Sequence, residues 1–592
     1  MNKVKDISFP LDVGAYNCYG TIANANRFVT EKQLCDTSLW TMLIKQFTSD
    51  SDDVDNGWRG EFWGKLMRGA CIVYRFTADK ELYDVLVSAV KNLIKTRRQD
   101  GRICTYSKEK EFTFWDMWCR KYVMLGMEYF YDICNDDELK AQIIAALIPH
   151  ADYILEHVGK GEGKIGIVQT SNEFGAMNSS SVLEPFVLLY NITGEKKYID
   201  FATYIVECGG SNKDNIFERA YKKDGFPYQY SATKAYEMMS CFEGLMEYYR
   251  ATGIEKYKTA VLNFIDMISR TEITAIGSAG FTHELFDNSA KKQFCKSEDG
   301  IMQETCVTVT WMKLCYQALR LTGDTKYAGF IEHSAYNAML GSLNTLGSNA
   351  AGGMIFDSYS PIYMQKRGTG MGGIRIIDLF NIFGCCVAIG AAGIGLSGIY
   401  AVMQRNDAIQ INSFIPGEYK ACINGTDVSV SVRTEYPKNG YAEIKMDEGE
   451  ADVVLRIPSF SEKTAVLHNG VSVPVEGDSV RISMTGGEKV CMFIDCSPRI
   501  VLPNTYGEDS AKVFAVFAGP LVLAQDSAFG GDISVCHSIP ENIIPSFDKD
   551  LPEHQVAFTV TDKQGDFRVV DYASSGKTWS KDSLVTVWNN CI

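Results

Sequence analysis

The stretch Thr252-Gly-Ile-Glu-Lys-Tyr257 decides the predicted fold, because it recurs with small changes through the first half of the chain. Close copies are Thr193-Gly-Glu-Lys-Lys-Tyr198 and Thr322-Gly-Asp-Thr-Lys-Tyr327, and weaker ones begin at Thr77 and Asn135. Each copy lies between two amphipathic apolar stretches, and its glycine suits the left-handed residue that ends a helix. The copies recur about every 60 residues, which predicts a hairpin of two helices in each repeat. About six hairpins would fill the helical part of the chain, so we expect a closed α/α toroid.

The apolar pattern changes near Gln404, where helical periodicity is replaced by alternating apolar and polar residues. Short strands such as Val428-Ser-Val-Ser-Val432 are separated by turn pairs such as Asn424-Gly425 and Asn469-Gly470. This spacing is typical of a β-sandwich. We therefore predict a multidomain α and β protein. The toroid covers residues 1–404, a β-sandwich covers 405–505, and a second β-strand region over 506–592 completes or extends the sandwich.

Composition excludes several classes of protein. The 592 residues are 46% hydrophobic and 22% charged, as in ordinary globular chains. A net charge of −15 repels a polyphosphate backbone, so we expect no nucleic-acid partner. The uncharged stretch Val387–Met403 is shorter than the ~20 residues that span a bilayer and is interrupted by glycines, which predicts a buried helix and no membrane contact. Met1–Gly20 lacks the apolar core of a signal peptide, so we expect a cytoplasmic protein with reduced thiols.

Two cysteine features could carry chemistry. Cys385 and Cys386 are adjacent, and Glu304 lies two residues before Cys306. Adjacent cysteines rarely form a disulfide, but together with a third thiolate and a carboxylate they can complete a tetrahedral zinc shell. The cysteine pair also opens the glycine-rich apolar helix, whose N-terminus favours thiolate. The alternative is that these are small core residues, as we expect for most of the 18 cysteines, and that Glu304 is only a helix N-terminal acid.

Three spaced elements of the sequence resemble glycoside hydrolase family 127, the β-L-arabinofuranosidases. They are Glu304-Thr-Cys306 followed by Gly384-Cys-Cys386, the segment Thr282-His-Glu-Leu-Phe286 upstream, and Tyr236-Glu-Met-Met-Ser-Cys-Phe-Glu-Gly-Leu245 running into Tyr249-Arg-Ala-Thr-Gly253. The similarity covers most of the chain. The resemblance implies an N-terminal (α/α)6 barrel, the helical toroid, followed by β-sandwich domains, in agreement with the periodicity.

The resemblance also implies a retaining glycosidase whose nucleophile is a zinc-bound cysteine. Cys385 would attack the anomeric carbon as a thiolate, while Glu304, Cys306 and Cys386 would hold a Zn²⁺ ion that also contacts Cys385. Glu284 would act first as general acid and then as general base. It must begin protonated, so we expect burial or nearby negative charge to raise its pKa. We also expect a separation from Cys385 like the ~5–5.5 Å between the carboxyl groups of ordinary retaining enzymes. The alternative for Glu284 is a solvated loop carboxylate.

The sugar-reading positions differ from those of the best-known members of the family. Those members line the pocket with several histidines, whereas the corresponding stretches here offer Tyr122 and the segment Asn178-Ser-Ser-Ser181. For the tryptophans, core packing is the alternative to stacking on a sugar face. The candidate sugar contacts are Trp58, Glu61, Trp63, Trp115, Asp116, Tyr122, Glu173, Tyr236 and Glu237.

The predicted function is therefore a retaining exo-glycoside hydrolase that releases a pentose-type sugar, a β-L-arabinofuranoside or a relative, from an oligosaccharide or glycoside. We expect a monomer or homodimer. Three alternatives stay open: the same site acting on an acidic or branched sugar of the plant cell wall, a metal-free toroid sugar epimerase or hydrolase with a carboxylate pair, and a non-catalytic sugar-binding protein clamped by zinc.

Overall fold

A closed ring of helices forms the N-terminal part of the protein. The computed structural model describes residues 2–345, 354–368, 370–529, 532–546, 556–577 and 583–592. Within these residues, neighbouring helices of an inner ring pack against each other, and the last packs against the first. The expected (α/α)6 barrel is therefore confirmed, including its closure. The inner helices are Arg59–Thr77, Asp116–Ile133, Leu183–Thr193, Ala235–Thr252, Thr305–Thr322 and Cys385–Ile399.

An outer ring of helices covers the inner one. Each outer helix packs against an inner partner. The predicted glycines end their inner helices in the left-handed conformation, with φ of 75° at Gly194, 71° at Gly253 and 66° at Gly323. The outer helices are Thr21–Val29, Lys80–Ile94, Asp137–His157, Lys196–Glu207, Glu255–Thr271 and Lys326–Ser334, and shorter helices are Thr37–Lys45, Met177–Ser180, Ile216–Lys222, Ser289–Lys292 and Leu340–Ser342.

The N-termini of the inner helices meet at one end of the barrel. Short turns join five of the inner helices to the outer helices that follow them, so each of these pairs is antiparallel and the five inner helices run parallel. Accordingly, first-turn side chains from different inner helices come together: the Trp118 and Tyr236 rings lie 5.3 Å apart, and the Cys306 Sγ lies 3.5 Å from the Cys386 Sγ. Each helix N-terminus carries a partial positive charge. This end of the barrel is therefore suited to anionic groups.

The glycine-rich stretch forms the last inner helix, Cys385–Ile399, which is buried along its whole length. Its glycines allow a close approach to the first inner helix, because a Cβ on Gly395 would lie 2.9 Å from the Val73 backbone nitrogen. In the same way, a Cβ on Gly69 would lie 2.8 Å from the Ala392 nitrogen. The prediction of a buried helix is confirmed, and no helix in the described part of the chain has the length and apolarity needed to cross a membrane.

A β-sandwich of two sheets follows the barrel. The chain start contributes a strand to each sheet, a pairing that no local pattern in the sequence predicted. In spatial order, one sheet contains Ser8–Pro10, Val402–Arg405, Ala408–Ile411, Glu450–Arg456 and Ser479–Thr485. The other contains Val471–Val473, Ala465–His468, Lys489–Phe493, Tyr441–Glu448, Thr426–Thr434, Gly417–Ile423 and Tyr16–Cys18.

A third sheet is formed by the C-terminal region and packs against the barrel loops that carry the candidate site. Phe294 of those loops contacts Trp588, with ring centroids 4.6 Å apart. In spatial order its strands are Pro498–Val501, Val513–Ala518, Leu521–Asp526, Gly565–Asp571, Ala557–Asp562 and Asn542–Ser546, with Val585–Thr586 and Asn589–Asn590 pairing alongside. A separate hairpin, Ile374–Ile376 with Ile382–Gly384, leads directly into the last inner helix.

Candidate active site

The residues predicted as metal ligands come together at the N-terminal end of the inner helices. One ligand atom from each of Glu304, Cys306, Cys385 and Cys386 lies within 4.8 Å of the other three, and all four residues are buried. The Glu304 Oε1 lies 3.4 Å from the Cys385 Sγ and 3.2 Å from the Cys386 Sγ. Residues separated by about eighty positions in the sequence thus form one compact cluster.

Backbone contacts hold the two halves of the cluster in place. Glu304 is the residue before the inner helix Thr305–Thr322, and the Thr305 N–H donates a hydrogen bond to the Ser358 carbonyl at 2.9 Å. Cys385 is the first residue of the last inner helix, and its N–H donates to the Gly373 carbonyl at 3.3 Å. Gly373 has a φ of 58°, and a Cβ there would overlap the Cys385 sulfur. The loop can therefore pass over this sulfur only with glycine at that position.

Burial keeps the acidic groups of the cluster from ionising without a cation. It raises the pKa of Glu304 to about 8, an effect to which Glu284 adds and which Lys234 opposes. Burial also raises the pKa of the Cys306 and Cys386 thiols well above their usual range. The pKa of Cys385 is raised in the same direction, first by its hydrogen bond with the Cys306 thiol and also by burial.

The donor set fits a metal ion. Three sulfurs and one carboxylate oxygen converge, and the Glu304 Oε2 is buried without a hydrogen-bond partner among the described residues. A divalent cation would offset the cost of ionising these groups, because metal coordination deprotonates a thiol outright. The buried Glu/Cys₃ group could therefore hold a metal ion.

Glu284 lies in a partly exposed loop beside this cluster. The loop is attached to the start of the inner helix Ala235–Thr252: the Ala235 N–H donates to the Glu284 carbonyl at 2.9 Å, and Phe286 donates to Thr233 at 2.7 Å. The Glu284 Oε2 forms an ion pair with the Lys234 ammonium. We expected negative charge or burial around this carboxylate; Glu304 supplies negative charge nearby, and the structure also places a lysine directly against Glu284.

A second lysine lies under the cluster in an aromatic cage. The Lys65 Nζ is 2.9 Å from the Glu61 Oε1 and 4.4 Å from the centroid of the Tyr236 ring. Glu61 also accepts a hydrogen bond from the Trp118 indole, and the hydroxyls of Tyr122 and Tyr236 are hydrogen-bonded to each other. Three predicted sugar contacts therefore surround Lys65 beneath the cluster: Glu61, Tyr122 and Tyr236.

Aromatic side chains form a rim on one side. The Trp58 indole donates to the Gly373 carbonyl at 3.0 Å and stacks on the Arg375 guanidinium. The ring centroid of Trp115 lies 5.4 Å from that of Trp58 and 6.2 Å from that of Phe174, and Phe174 is partly exposed. The predicted tryptophans Trp58 and Trp115 therefore stand next to the glycine that covers the Cys385 sulfur.

The remaining predicted sugar contacts are mostly buried, and no contact between them and the cysteine cluster is described. Trp63 is buried in the core, edge-on to Trp40, and Asp116 is buried and held by Arg120 at 2.9 Å, so both have packing partners. Glu173 is half-buried beside Phe174, and Glu237 is buried three residues after Lys234. The segment Asn178–Ser181 is also buried, with the Ser179 and Ser180 hydroxyls unpartnered among the described residues.

Sequence reasoning missed Lys65, Lys234 and the glycines that cover the cluster. Lys234 lies two residues before the Tyr236-Glu237 motif, so its position next to a recognised element was the available signal. The segment Gly370-Met-Gly-Gly373 precedes the cysteine pair, and clustered glycines indicate a close backbone approach. Lys65 had no comparable local signal, because it belongs to a helix that is buried on all sides.

Comparison with known proteins agrees with this architecture. A curated non-reducing end β-L-arabinofuranosidase of Bifidobacterium longum subsp. longum is 24% identical over 415 residues, which cover 63% of this chain and 59% of that protein. The chain therefore matches about three fifths of the length of that relative.

Two solved structures share the fold. A GH127 β-arabinofuranosidase superposes with a TM-score of 0.78 at 18% identity, covering 99% of this chain and 98% of that one. A GH127 β-L-arabinofuranosidase from Geobacillus stearothermophilus T6 superposes with a TM-score of 0.77 at 17% identity, covering 98% and 100%. Residues 23–391 match the β-L-arabinofuranosidase GH127 catalytic domain, which is more than half of the sequence. The chain therefore belongs to glycoside hydrolase family 127.

Proposed function

We propose that the protein is a retaining exo-glycoside hydrolase that releases a pentose-type sugar, a β-L-arabinofuranoside or a related glycoside. The observation that carries the proposal is the convergence of Glu304, Cys306, Cys385 and Cys386 within 4.8 Å. Glu284 lies beside them, where its charge acts on Glu304. The choice of sugar is supported by the relatives described above, which are named as β-L-arabinofuranosidases.

The metal that best suits this donor set is Zn²⁺, because three thiolates and one carboxylate favour tetrahedral zinc. Glu304, Cys306, Cys385 and Cys386 would hold it. When bound, zinc would supply the positive charge that keeps the Cys385 sulfur as a thiolate at neutral pH. The 18 free cysteines fit a reducing, cytoplasmic compartment, in which these thiols stay available.

The residues of the chain then perform a double displacement. The Cys385 Sγ attacks the anomeric carbon, and a carbon–sulfur bond forms as the bond to the leaving oxygen breaks. Glu284 gives its proton to that oxygen. In the second step, Glu284 takes a proton from water, the water oxygen attacks the same carbon, and the sulfur leaves as a thiolate. Two inversions give net retention of configuration.

Exo action is supported by the position of the nucleophile. Cys385 is 8% exposed and lies at the start of a buried helix, with Gly373 covering its sulfur. The rim residues Trp58 and Trp115 border this position on one side. We infer from this burial that the sugar approaches as a chain end, because a sulfur so little exposed presents no open surface to the middle of a polysaccharide chain.

A second candidate substrate is an acidic or branched pentose. Lys234 and the rim residue Arg375 are cations that a neutral sugar does not need, and each has an acidic neighbour, Glu284 for Lys234 and Asp55 at 3.5 Å for Arg375. Arg375→Met separates the two candidates. It should raise KM for an aryl pentoside bearing a carboxylate and leave KM for the neutral arabinofuranoside unchanged if the acidic sugar is the substrate. An equal effect on both would reject that candidate.

Metal analysis read together with turnover tests the proposed function. Protein purified without added zinc should contain about one zinc per chain and should hydrolyse one member of a panel of p-nitrophenyl pentosides. Turnover without stoichiometric metal would indicate the metal-free hydrolase or epimerase. Zinc without turnover of any glycoside, together with a lower melting temperature on chelation, would indicate a zinc-clamped binding protein. Either result would reject the proposal.

A further inference from the structure

The ion pair between Lys234 and Glu284 is built into the fold. Lys234 immediately precedes the inner helix Ala235–Thr252 and pairs through its backbone with Leu285. Its side chain is 11% exposed, and the Nζ lies 4.6 Å from the centroid of the Phe174 ring. Both partners of the ion pair are therefore held by main-chain contacts, and the lysine is shielded from water.

A second carboxyl group belongs to the same arrangement. Glu237 lies in the first turn of the helix that follows Lys234, is 2% exposed, and has an Oε2 without a hydrogen-bond partner among the described residues. Burial raises the pKa of Glu237 to about 7; Lys234 opposes this shift, and Glu284 adds to it. The helix N-terminus also opposes the shift, so burial is the dominant effect.

The charge balance of the three groups implies a bound proton. With both carboxyls ionised, Lys234 neutralises only one of them, and burial disfavours the remaining negative charge. Among the other charged groups nearby, Lys65 and Glu61 neutralise each other at 2.9 Å. Glu304 and the three thiols also contribute negative charge. As ligands, one carboxylate and three thiolates carry four negative charges, which exceed the two positive charges of a divalent cation. Their field also favours retention of the proton.

We propose that Lys234 and Glu237 are positioning residues that act in opposite directions on the proton of Glu284, with Glu237 favouring its retention and Lys234 favouring its release. The inference rests on the proposed function, in which Glu284 is the acid and base. Before glycosylation the three groups share one proton, and Glu284 gives that proton to the leaving oxygen. Lys234 then stabilises the Glu284 carboxylate, which takes one proton from water in the second step, so the starting state is restored. The purely structural alternative is a static ion pair with no influence on catalysis.

The pH dependence of kcat/KM tests the proposal through two shifts of opposite sign. Glu237→Gln removes a negative neighbour, so Glu284 should lose its proton more readily and the alkaline limb should move to lower pH by about one unit. Lys234→Met removes a positive neighbour, so the alkaline limb should move to higher pH. Lys234→Arg keeps the charge and should restore the limb of the unsubstituted protein. Unchanged limbs in both variants would overturn the proposal.

Glu128 provides the matched control. It is buried on the inner helix Asp116–Ile133, and both its carboxyl oxygens lack hydrogen-bond partners among the described residues. Glu128→Gln should leave the limb in place. If it shifts the limb as much as Glu237→Gln does, general destabilisation explains the effect and the proposal fails.

Infrared spectroscopy of the zinc-loaded protein gives a readout that does not need turnover. At neutral pH the C=O stretching band of one carboxylic acid should disappear in Glu237→Gln, because the variant lacks the carboxyl group whose pKa burial raises to about 7. If the band is lost in Glu237→Gln but the unsubstituted protein hydrolyses no glycoside, the proposed function is rejected and the proposal of a shared proton is retained. A band unaffected by Glu237→Gln would reject the shared proton, whatever the activity.

Discussion

Two regions of the barrel core differ in how their buried charges are neutralised. Deeper in the barrel, away from the cysteine cluster, the Arg68 guanidinium lies 2.6 Å from Glu184 and 3.3 Å from Glu243, and Lys313 lies 2.9 Å from Glu243. At the N-terminal end, Glu304 and its three thiols meet with no cation in contact among the described residues.

This difference distinguishes ion pairs that stabilise the fold from the cysteine cluster, whose acidic groups have no cation as a partner in the described part of the chain. Arg68 is fully enclosed, so its carboxylate partners balance its charge within the protein. In the cysteine cluster, burial raises the pKa of Glu304 to about 8, and one oxygen of this carboxyl has no partner. The cysteine cluster, which lacks a cation among the described residues, could therefore hold a metal ion, whereas the Arg68 network, whose charges are already paired, stabilises the fold.

The largest expected effect is on the nucleophile. Cys385→Ala should lower kcat/KM by at least ~10³-fold, because Cys385 is the proposed nucleophile. Cys315→Ala is the matched control, since Cys315 is a fully buried thiol on an inner helix outside the cluster. The two variants should melt at similar temperatures. Equal loss of activity in both would mean that cysteine packing, and not Cys385 chemistry, is being measured.

Removing a cation from the balanced network should affect stability instead of metal binding. Arg68→Met would leave the buried Glu184 carboxylate without its ion-pair partner and Glu243 with Lys313 alone, at a cost of about 3–5 kcal/mol in the free energy of unfolding. Urea denaturation measures this loss, and metal analysis of the folded fraction should find the zinc content unchanged. Loss of zinc without loss of stability would show that the two regions are not distinct.

A smaller effect is expected from Gly373→Ala. The new Cβ would overlap the Cys385 sulfur at a φ of 58°, so the sulfur must move and metal affinity should fall roughly 10–100-fold. Gly425→Ala is the control, because Gly425 has a φ of 80° and nothing within 4 Å of the added atom. Competition with a chelator measures the affinity. Equal affinity in both variants would contradict the packing described for Cys385.

A more gradual effect concerns the pH dependence of the stability of the metal-free protein. The pKa of Glu304 rises from 4.5 to about 8 on folding, so the folded state binds the extra proton between these values. The free energy of unfolding should therefore fall as pH rises through this window, by up to about 1.4 kcal/mol per pH unit. Glu304→Gln should remove this part of the slope, and so should zinc. A slope identical in the variant would contradict the assignment of the proton to Glu304.

The fold was predictable where its signals are local. Gly194, Gly253 and Gly323 mark helix ends in the sequence, and the structure confirms each one. The pairing of Ser8–Pro10 with Val402–Arg405 joins the two ends of the barrel segment. No local pattern predicts such a contact, because it depends on where the closed ring brings the chain back.

The site was predictable where residue types are chemically rare in combination. Two adjacent cysteines with a Glu-x-Cys element pointed to a metal centre, and the structure brings the four residues together. Lys234 and Lys65 were missed, because a lysine in a sequence ordinarily indicates a solvated surface. Only the three-dimensional structure shows the Lys234 ammonium against Glu284 and the Lys65 ammonium within an aromatic cage.

The central claim is that Cys385 forms a covalent bond to the sugar. Acid quenching during turnover of an aryl β-L-arabinofuranoside, followed by proteolysis and mass spectrometry, tests it most directly. We predict one pentosyl residue on the peptide that contains Cys385, and none on that peptide in Cys385→Ala. A pentosyl group on a carboxylate, or turnover with no modified peptide and inverted product configuration, would contradict the account.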